Sequence, residues 1–407
     1  MQRSRSLRRA LAALSVVVAG ATAAAGCGST GSQAGVASAA SSAAPKTIKI
    51  GLATVLSGPA SAYGNTDYGL MAYLNNVNRS GGVNGYKYSY VVKDTGYDPS
   101  RAATIFRSFA QSDNVFAVVA VGSGPFAGIA PIAKQTGVPT FSAVDGALVT
   151  PPVSNIWGQE PAFVRMALFN AQFAMQKLGV KDLGSIYEND DVGAPSGKVL
   201  PQYVKQNGGK LLTNIPIDMT ATDFSPYAAK LKQSGAKVVL STSGPVVLAG
   251  VQKAAAAIGY KPKWITLFGS EDPAYLALAG PLAQGVYLSS YQFPLDSSDP
   301  SVVQFRQVMS KAYPKAEFSS FAQQGWNFAV VINDAVKQAT AGGKSLTRAR
   351  FLSAVESIRG PQVGMMRDVN YGDPSTHAPT QSSAILQIAG KKYRVAQGFT
   401  TLPEAPN

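Results

Sequence analysis

Cysteine, histidine and charge are all scarce in this chain of 407 residues, and each scarcity excludes something. The single cysteine, Cys27, leaves no disulfide framework and no cysteine metal site. The single histidine, His377, sits in the Pro-rich stretch YGDPSTHAPT, where a solvated or structural role is expected rather than a catalytic one. Neither a G-x-S-x-G elbow nor an H-E-x-x-H pair is present. Gly343-Lys344-Ser345 mimics the end of a phosphate loop, yet Gln338 stands where its first glycine belongs, and a helix rather than a strand precedes it. The first strand leads into no G-x-G-x-x-G, so a dinucleotide site lacks its fingerprint. Charged residues make up 14% against 46% hydrophobic, which excludes a disordered chain as a whole. The net charge is +14, with Arg3, Arg5, Arg8 and Arg9 contributing four of it, and the remaining Lys and Arg are scattered rather than striped. Nucleic acid is therefore not an expected partner.

Those four arginines open a targeting pattern. They precede an apolar run from Ala10 to Ala25, shorter than the roughly 20 residues a spanning helix needs. Ala24-Ala25-Gly26-Cys27 resembles the lipobox of bacterial lipoproteins, with Ala where Leu is commoner. Residues 1–27 are thus expected to be a lipoprotein signal peptide whose Cys27 is lipidated, and residues 28–46, small and polar, a flexible tether. Such a tether spans about 25 Å as a random coil, enough to hold a domain off a membrane surface.

From Ile48 onward strands and helices alternate. Ile48, Ile50 and Leu52 mark a buried strand, residues 67–77 a helix, and Tyr86 to Val92 a second strand, the composition of a parallel-sheet unit. VFAVVAV, residues 115–121, is a continuous apolar run of the kind a parallel strand covered on both faces requires. A break near Pro151-Pro152 and the stretch WGQEP introduce a helix over 162–178, and a second alternation then runs to Phe268. The strand 285–291 is followed by helices over 302–312, 318–339 and 346–357, and strand-like patterns close the chain. The fold class expected is α/β, with two doubly wound, Rossmann-like lobes.

Ser-Gly-Pro occurs three times after a strand, at Ser57-Gly58-Pro59, Ser123-Gly124-Pro125 and Ser243-Gly244-Pro245. Ser caps a helix, Gly admits a ligand to the backbone and Pro suits the first helical position. The same residues serve ordinary helix starts; facing one crevice, they would attract an anion. Acids also follow strands: Glu188, Asp190 and Asp191 after one, Glu271-Asp272 after another. Paired carboxylates could do acid/base work, bind a metal or meet an ammonium, but for Glu188 to Asp191 a solvated loop is the expected reading.

The order SGP-A-x-x-G, then N-x-x-GG-x-x-G, then D-x-x-x-DP resembles the type I periplasmic substrate-binding proteins of ABC importers, the family of the leucine/isoleucine/valine-binding protein. The resemblance covers residues 47–399. It implies two discontinuous lobes joined by a hinge, 47–159 with 289–358 and 160–288 with 359–407. It also implies a small amino-acid-like or amide solute in the cleft, an ABC permease as partner, a membrane reached through the lipid anchor, a monomer, and neither cofactor, metal nor catalysis.

Carried over residue by residue, Ser123 and Gly124 match the turn that holds a ligand carboxylate, and Ala143 and Asp145 lie in the loop after the fourth strand. Asp145 stands where the family has Thr, so either it points away or the ligand is oriented differently. Tyr63 matches the first-lobe aromatic, Ser243 lies where a tyrosine is usual, and Glu271 is the expected ammonium partner. The rival to solute delivery is a ligand sensor of the same fold.

Overall fold

A computed structural model describes residues 46–58, 60–190, 192–218, 220–316 and 318–406. Cys27, Pro59 and Asp191, each singled out above, lie outside the described residues. The first sheet is wholly parallel, with β1 (Lys46–Thr54), β2 (Tyr86–Asp94), β3 (Ala117–Val121), β4 (Thr140–Ala143) and β5 (Ile156–Trp157) in the order β2-β1-β3-β4-β5. Its connections are α1 (Asn65–Arg79), α2 (Pro99–Gln111) and α3 (Ser123–Thr136). Helix α2 shows how local chemistry sets these boundaries: Asp98 accepts from the Arg101 N–H at 2.6 Å, and Pro99 occupies the first turn. All five residues of β3, AVVAV, are buried, because helices cover both faces of the sheet.

The second alternation runs α4 (Phe163–Gln176), β6 (Asp182–Glu188), α5 (Ala194–Gln206), β7 (Lys210–Ile217), α6 (Ser225–Ser234), β8 (Val238–Thr242), α7 (Pro245–Ala257), β9 (Lys263–Leu267), α8 (Pro273–Ala279) and β10 (Tyr287–Ser290). The chain then lays down α9 (Pro300–Ala312), α10 (Ser320–Ala339) and α11 (Arg348–Ser357), and a hairpin of β11 (Arg359–Val363) and β12 (Met366–Asn370) follows. Antiparallel β13 (Ser382–Ala389) and β14 (Lys392–Thr401) finish the second sheet, whose order is β14-β13-β10-β9-β8-β6-β7.

The core is layered accordingly. Ile48, Ile50, Leu52 and Val119 of the first sheet pack with Leu70 and Leu74 of α1 and with Phe328, Val331 and Ile332 of α10. Ala53, Val118 and Ala120 point to the opposite face, under Phe106 and Phe109 of α2 and Ile129 of α3. In the second sheet Leu183, Leu240 and Ile265 face α4 and α5, while Ile186, Val239 and Leu288 face α6, α7 and α8. Each such aliphatic side chain, fully buried, contributes about 1.5–3 kcal/mol.

Helices α1 and α10 meet backbone to backbone. A Cβ on Gly69 would stand 1.6 Å from the Ala322 carbonyl oxygen, and one on Gly325 would stand 1.7 Å from that of Thr66. Only glycine permits this approach, and the apolar side chains flanking it complete the cover of the first sheet. In both sheets the parallel strands run toward one rim, where β3, β4, β6, β8 and β9 end.

Candidate functional site

A cavity of about 100 Å³ lies at that rim, with one wall from each alternation. The first wall is built from Tyr63, which follows β1, Tyr97, which follows β2, the β3–α3 turn at Val121 to Ser123, and Ala143 at the end of β4. The second is built from Glu188, Asp190 and Gly193 after β6, Thr242 to Pro245 after β8, and Leu267 to Gly269 after β9. Glu160 and Phe163 reach it from the first crossing between the sheets, and Phe321 and Gln324 from the start of α10. The walls are close: a Cβ on Gly244 would stand 3.4 Å from Glu188 Oε1 and 3.7 Å from the Tyr63 hydroxyl of the opposite wall.

Strand-to-helix turns place two of the three Ser-Gly-Pro motifs here. Gly122 takes φ 94°, a conformation that frees Ser123 to begin α3, and Gly244 is extended ahead of Pro245 at the start of α7. The first motif is elsewhere: Ser57 Oγ donates to Asp94 Oδ2 at 2.6 Å on the exterior, and α1 begins only at Asn65. Both cleft turns already meet acceptors of the chain itself. The Gly244 N–H donates to Glu188 Oε1 at 3.0 Å. The Tyr97 ring lies against Gly122 and Gly124, where a Cβ would meet it at 2.6 and 3.0 Å, and the Gly124 N–H interacts with its hydroxyl.

The cleft is rich in aromatic rings and acids. Tyr63 packs edge-on against Phe321 at 4.8 Å and tilts over Tyr97 at 6.0 Å, while Phe268 makes a T-shaped contact with Phe163 at 6.2 Å. Burial raises the Glu160 carboxyl from 4.5 to about 8, opposed by the bond that Gln324 Nε2 donates to its Oε1 at 2.5 Å. Burial likewise raises Glu188 to about 7, opposed by the Gly244 N–H. Asp190 Oδ1 accepts from the N–H groups of Val192 and Gly193 at 3.1 and 2.7 Å. Desolvation also pushes Tyr97 up to about 12 and Tyr63 well above its ordinary value.

Among the residues singled out from sequence, Tyr63, Ser123, Ala143 and Ser243 line the cavity, Gly124 lies beneath Tyr97, and Ser243 Oγ is within 2.7 Å of Ser241 Oγ. Asp145 and Glu271 are not brought to it. Asp145 is buried and points away, its Oδ1 accepting from the N–H groups of Ala147 at 3.0 Å and Phe163 at 2.9 Å, so it fastens the β4 loop to the start of α4. Glu271 is fully buried on the far side of its short 3-10 turn. There it accepts from the Leu295 N–H at 3.0 Å and from Ser290 Oγ at 3.3 Å, tying the exit of β10 to the second sheet.

The acids that do face the cleft, Glu160, Glu188 and Asp190, include two from a loop read as solvated; both are half-buried there, and Glu188 accepts from the Gly244 N–H. Tyr97, Glu160, Phe163, Phe321 and Gln324 were missed. A signal existed for Gln324, since α10 reads SFAQQGWNFA, with amides inside an otherwise apolar helix. His377 is buried too, stacked on Trp157 at 5.1 Å with Nδ1 2.7 Å from the Ile156 carbonyl, so its role is structural.

Among the described residues no group of three or more His, Cys, Asp or Glu is disposed to hold a metal ion. No described helix is long and apolar enough to cross a membrane.

Comparison with known proteins places this geometry. A family model described as periplasmic binding protein matches residues 47–393. The chain is 25% identical over 366 residues to the Leu/Ile/Val-binding protein homolog 6 of Brucella melitensis biotype 1, covering 86% of this chain and 90% of that one. Among solved structures it is similar to a fatty acid ABC transporter substrate-binding protein from Thermomonospora curvata, with TM-score 0.78 and 24% identity over 88% of this chain and 92% of the other. It is also similar to a branched-chain amino acid ABC transporter protein from Thermus thermophilus with bound valine, with TM-score 0.80 and 16% identity over 88% and 97%. These likenesses show the fold, mixed α/β with two lobes.

Proposed function

Because the chain belongs to the periplasmic binding protein family, we propose that it is the extracytoplasmic solute receptor of an ABC importer, holding a small amino-acid-like or amide solute between its lobes and passing it to a membrane permease. The observation that carries this reading is the cavity itself. Its walls come from both sheets, and it is lined by aromatic rings with a few convergent polar groups, the composition of a small-molecule site.

The lobes close on the solute by a hinge. Three crossings connect the two sheets, at the segments after β5, after β10 and before β13, and a small change in backbone angles at a few such residues suffices to swing one lobe on the other. Lobe 1 comprises 47–159 with 291–358, and lobe 2 comprises 160–290 with 359–407; the boundary at 289 expected from sequence falls inside β10, whose Ser289 and Ser290 pair with β13 of the second sheet. Closure brings Tyr63 and Glu188 together over the solute and removes it from water, so that its polar groups meet the wall in a medium where each contact is stronger.

The protein works as a monomer, tethered by the residues between Cys27 and β1 to a membrane in which a lipidated Cys27 is held; Lys46, expected to end the tether, already pairs with Tyr86 in the first sheet. Thermal-shift screening of a solute library, followed by small-angle scattering with the best hit, tests the reading. A binding solute stabilises the folded protein by RT ln(1 + [L]/Kd), which raises Tm, and it lowers the radius of gyration. Scattering that stays unchanged at saturation refutes the hinged receptor.

A further inference from the structure

The charge that the solute must bring follows from the walls of the cleft. Three carboxyl groups, Glu160, Glu188 and Asp190, face the cavity, and among the described residues no Lys, Arg or His lines it. An entering carboxylate therefore meets no cationic side chain. Its remaining recourse is a helix N-terminus, and those that reach the cleft have N–H groups already engaged: Phe163 of α4 donates to Asp145 Oδ1, Gly193 ahead of α5 to Asp190 Oδ1 and Phe321 of α10 to Ser319 Oγ. The α7 start gives its Gly244 N–H to Glu188 Oε1 at 3.0 Å, and the Gly124 N–H at the α3 start lies under the Tyr97 ring and interacts with its hydroxyl. In effect Glu188 occupies the anion position of the second lobe from within. A ligand carboxylate could take that position only by displacing Glu188, which would set two like charges together in a desolvated space.

A cation meets the opposite situation. Glu160 is nine-tenths buried or more, its Oε1 paired with Gln324 Nε2, and no bond to its Oε2 occurs among the described residues. Glu188 likewise spends one oxygen on Gly244, with no second partner among the described residues. Five rings, Tyr63, Tyr97, Phe163, Phe268 and Phe321, line the same cavity, and an aromatic face attracts a desolvated cation as it repels an anion.

We propose that the cleft selects a solute carrying a cationic nitrogen and no free carboxylate, an amine or an amino-acid amide, with the ammonium held by Glu160 and Glu188 and the apolar body against the phenylalanines. The inference rests on the reading of the cleft as a solute site. It accords with the desolvation of both carboxyls: at neutral pH the empty cleft keeps Glu160 mostly and Glu188 about half protonated, and an arriving cation ionises them, so that binding releases protons to solvent.

Matched probes test it. L-leucinamide and isopentylamine carry the cation alone, L-leucine adds the carboxylate, and 4-methylpentanoate has only the carboxylate; benzylamine and benzoate repeat the contrast on an aromatic body. Calorimetry near neutral pH should find at least one amine binding roughly tenfold or more tighter than its carboxylate-bearing counterpart. In Glu188→Gln, whose amide oxygen still accepts from Gly244, amine affinity should fall about 10- to 100-fold while the preference against leucine narrows, a change in selectivity that a purely structural role would not produce. Tighter binding of leucine, 4-methylpentanoate or benzoate than of the matching amine overturns the inference, as does failure of all three amines at millimolar concentration. If a carboxylate solute binds and closes the lobes in scattering, the charge assignment fails and the receptor reading stands; if no library solute closes them, the receptor reading itself fails.

Discussion

Replacing Glu160 by Gln should stabilise the empty protein at alkaline pH and leave it unchanged in acid. Glu160 is buried, and its carboxyl is displaced from 4.5 to about 8, mainly by desolvation. A group whose pKa is higher folded than unfolded binds more protons in the native state throughout the interval between the two values, so stability is fully present below 4.5 and is lost as pH rises toward 8. At about 1.4 kcal/mol per tenfold change in proton affinity, ionised Glu160 destabilises the fold by about 3–5 kcal/mol at pH near 9. The amide keeps the acceptor for Gln324 Nε2 and cannot ionise. Differential scanning calorimetry of both proteins between pH 4.5 and about 9 should therefore show curves that coincide at the acid end and separate by roughly 4–8 °C at the alkaline end, the variant higher. Parallel curves would mean that Glu160 is solvated in the absence of ligand and that the cleft is not a desolvated space.

The contact between α1 and α10 is tested by Gly69→Ala, whose Cβ would fall 1.6 Å from the Ala322 carbonyl oxygen; we expect a loss of more than about 3 kcal/mol, and an unchanged Tm would show that the helices do not touch there. Glu271→Gln should alter amine affinity less than about twofold, since that carboxyl is bonded to Leu295 and Ser290 outside the cavity, and a loss equal to that of Glu188→Gln in the same titration would return it to the site. Cys27→Ala should move the protein from the membrane to the soluble fraction of cells, and retention as firm as that of the parent would place the anchor elsewhere.

The alternation of strands and helices was legible because parallel strands covered on both faces must be continuous apolar runs, and Ala117 to Val121 is such a run. Strand β5 escaped, being two residues long, as did the seven-residue α8, for neither offers a period to count. At the cavity, turn chemistry carries a partial signal: Ser-Gly-Pro brings Ser123 and Ser243 to the lining, but the same motif at Ser57 lies outside it, so the neighbours alone do not tell which turn faces the cleft. Glu160 and Gln324 could not be found from their neighbours: they are partners 164 residues apart, one on a crossing segment and one on a helix that arrives late in the chain. The error at Glu271 has a local cause. Its Gly-Ser-Glu motif lies in a 3-10 turn whose glycine faces the cleft while the glutamate two residues on faces the interior, and a motif read along the chain does not reveal which way a turn is rolled.

The glycine-to-backbone seam between α1 and α10 has a bearing on how the protein is made. The strands of the first sheet are the first to be synthesised, yet Phe328, Val331 and Ile332, which seal one of its faces, belong to a helix beginning at Ser320. A ribosome-bound chain that stops short of Ser320 therefore carries a sheet with one apolar face covered only in part, by α1, and held together by pairings of high sequence separation that form slowly. The first lobe cannot reach its native state until most of the polypeptide has been translated, so its folding waits on a helix that the chain makes only after the whole parallel run of the second sheet.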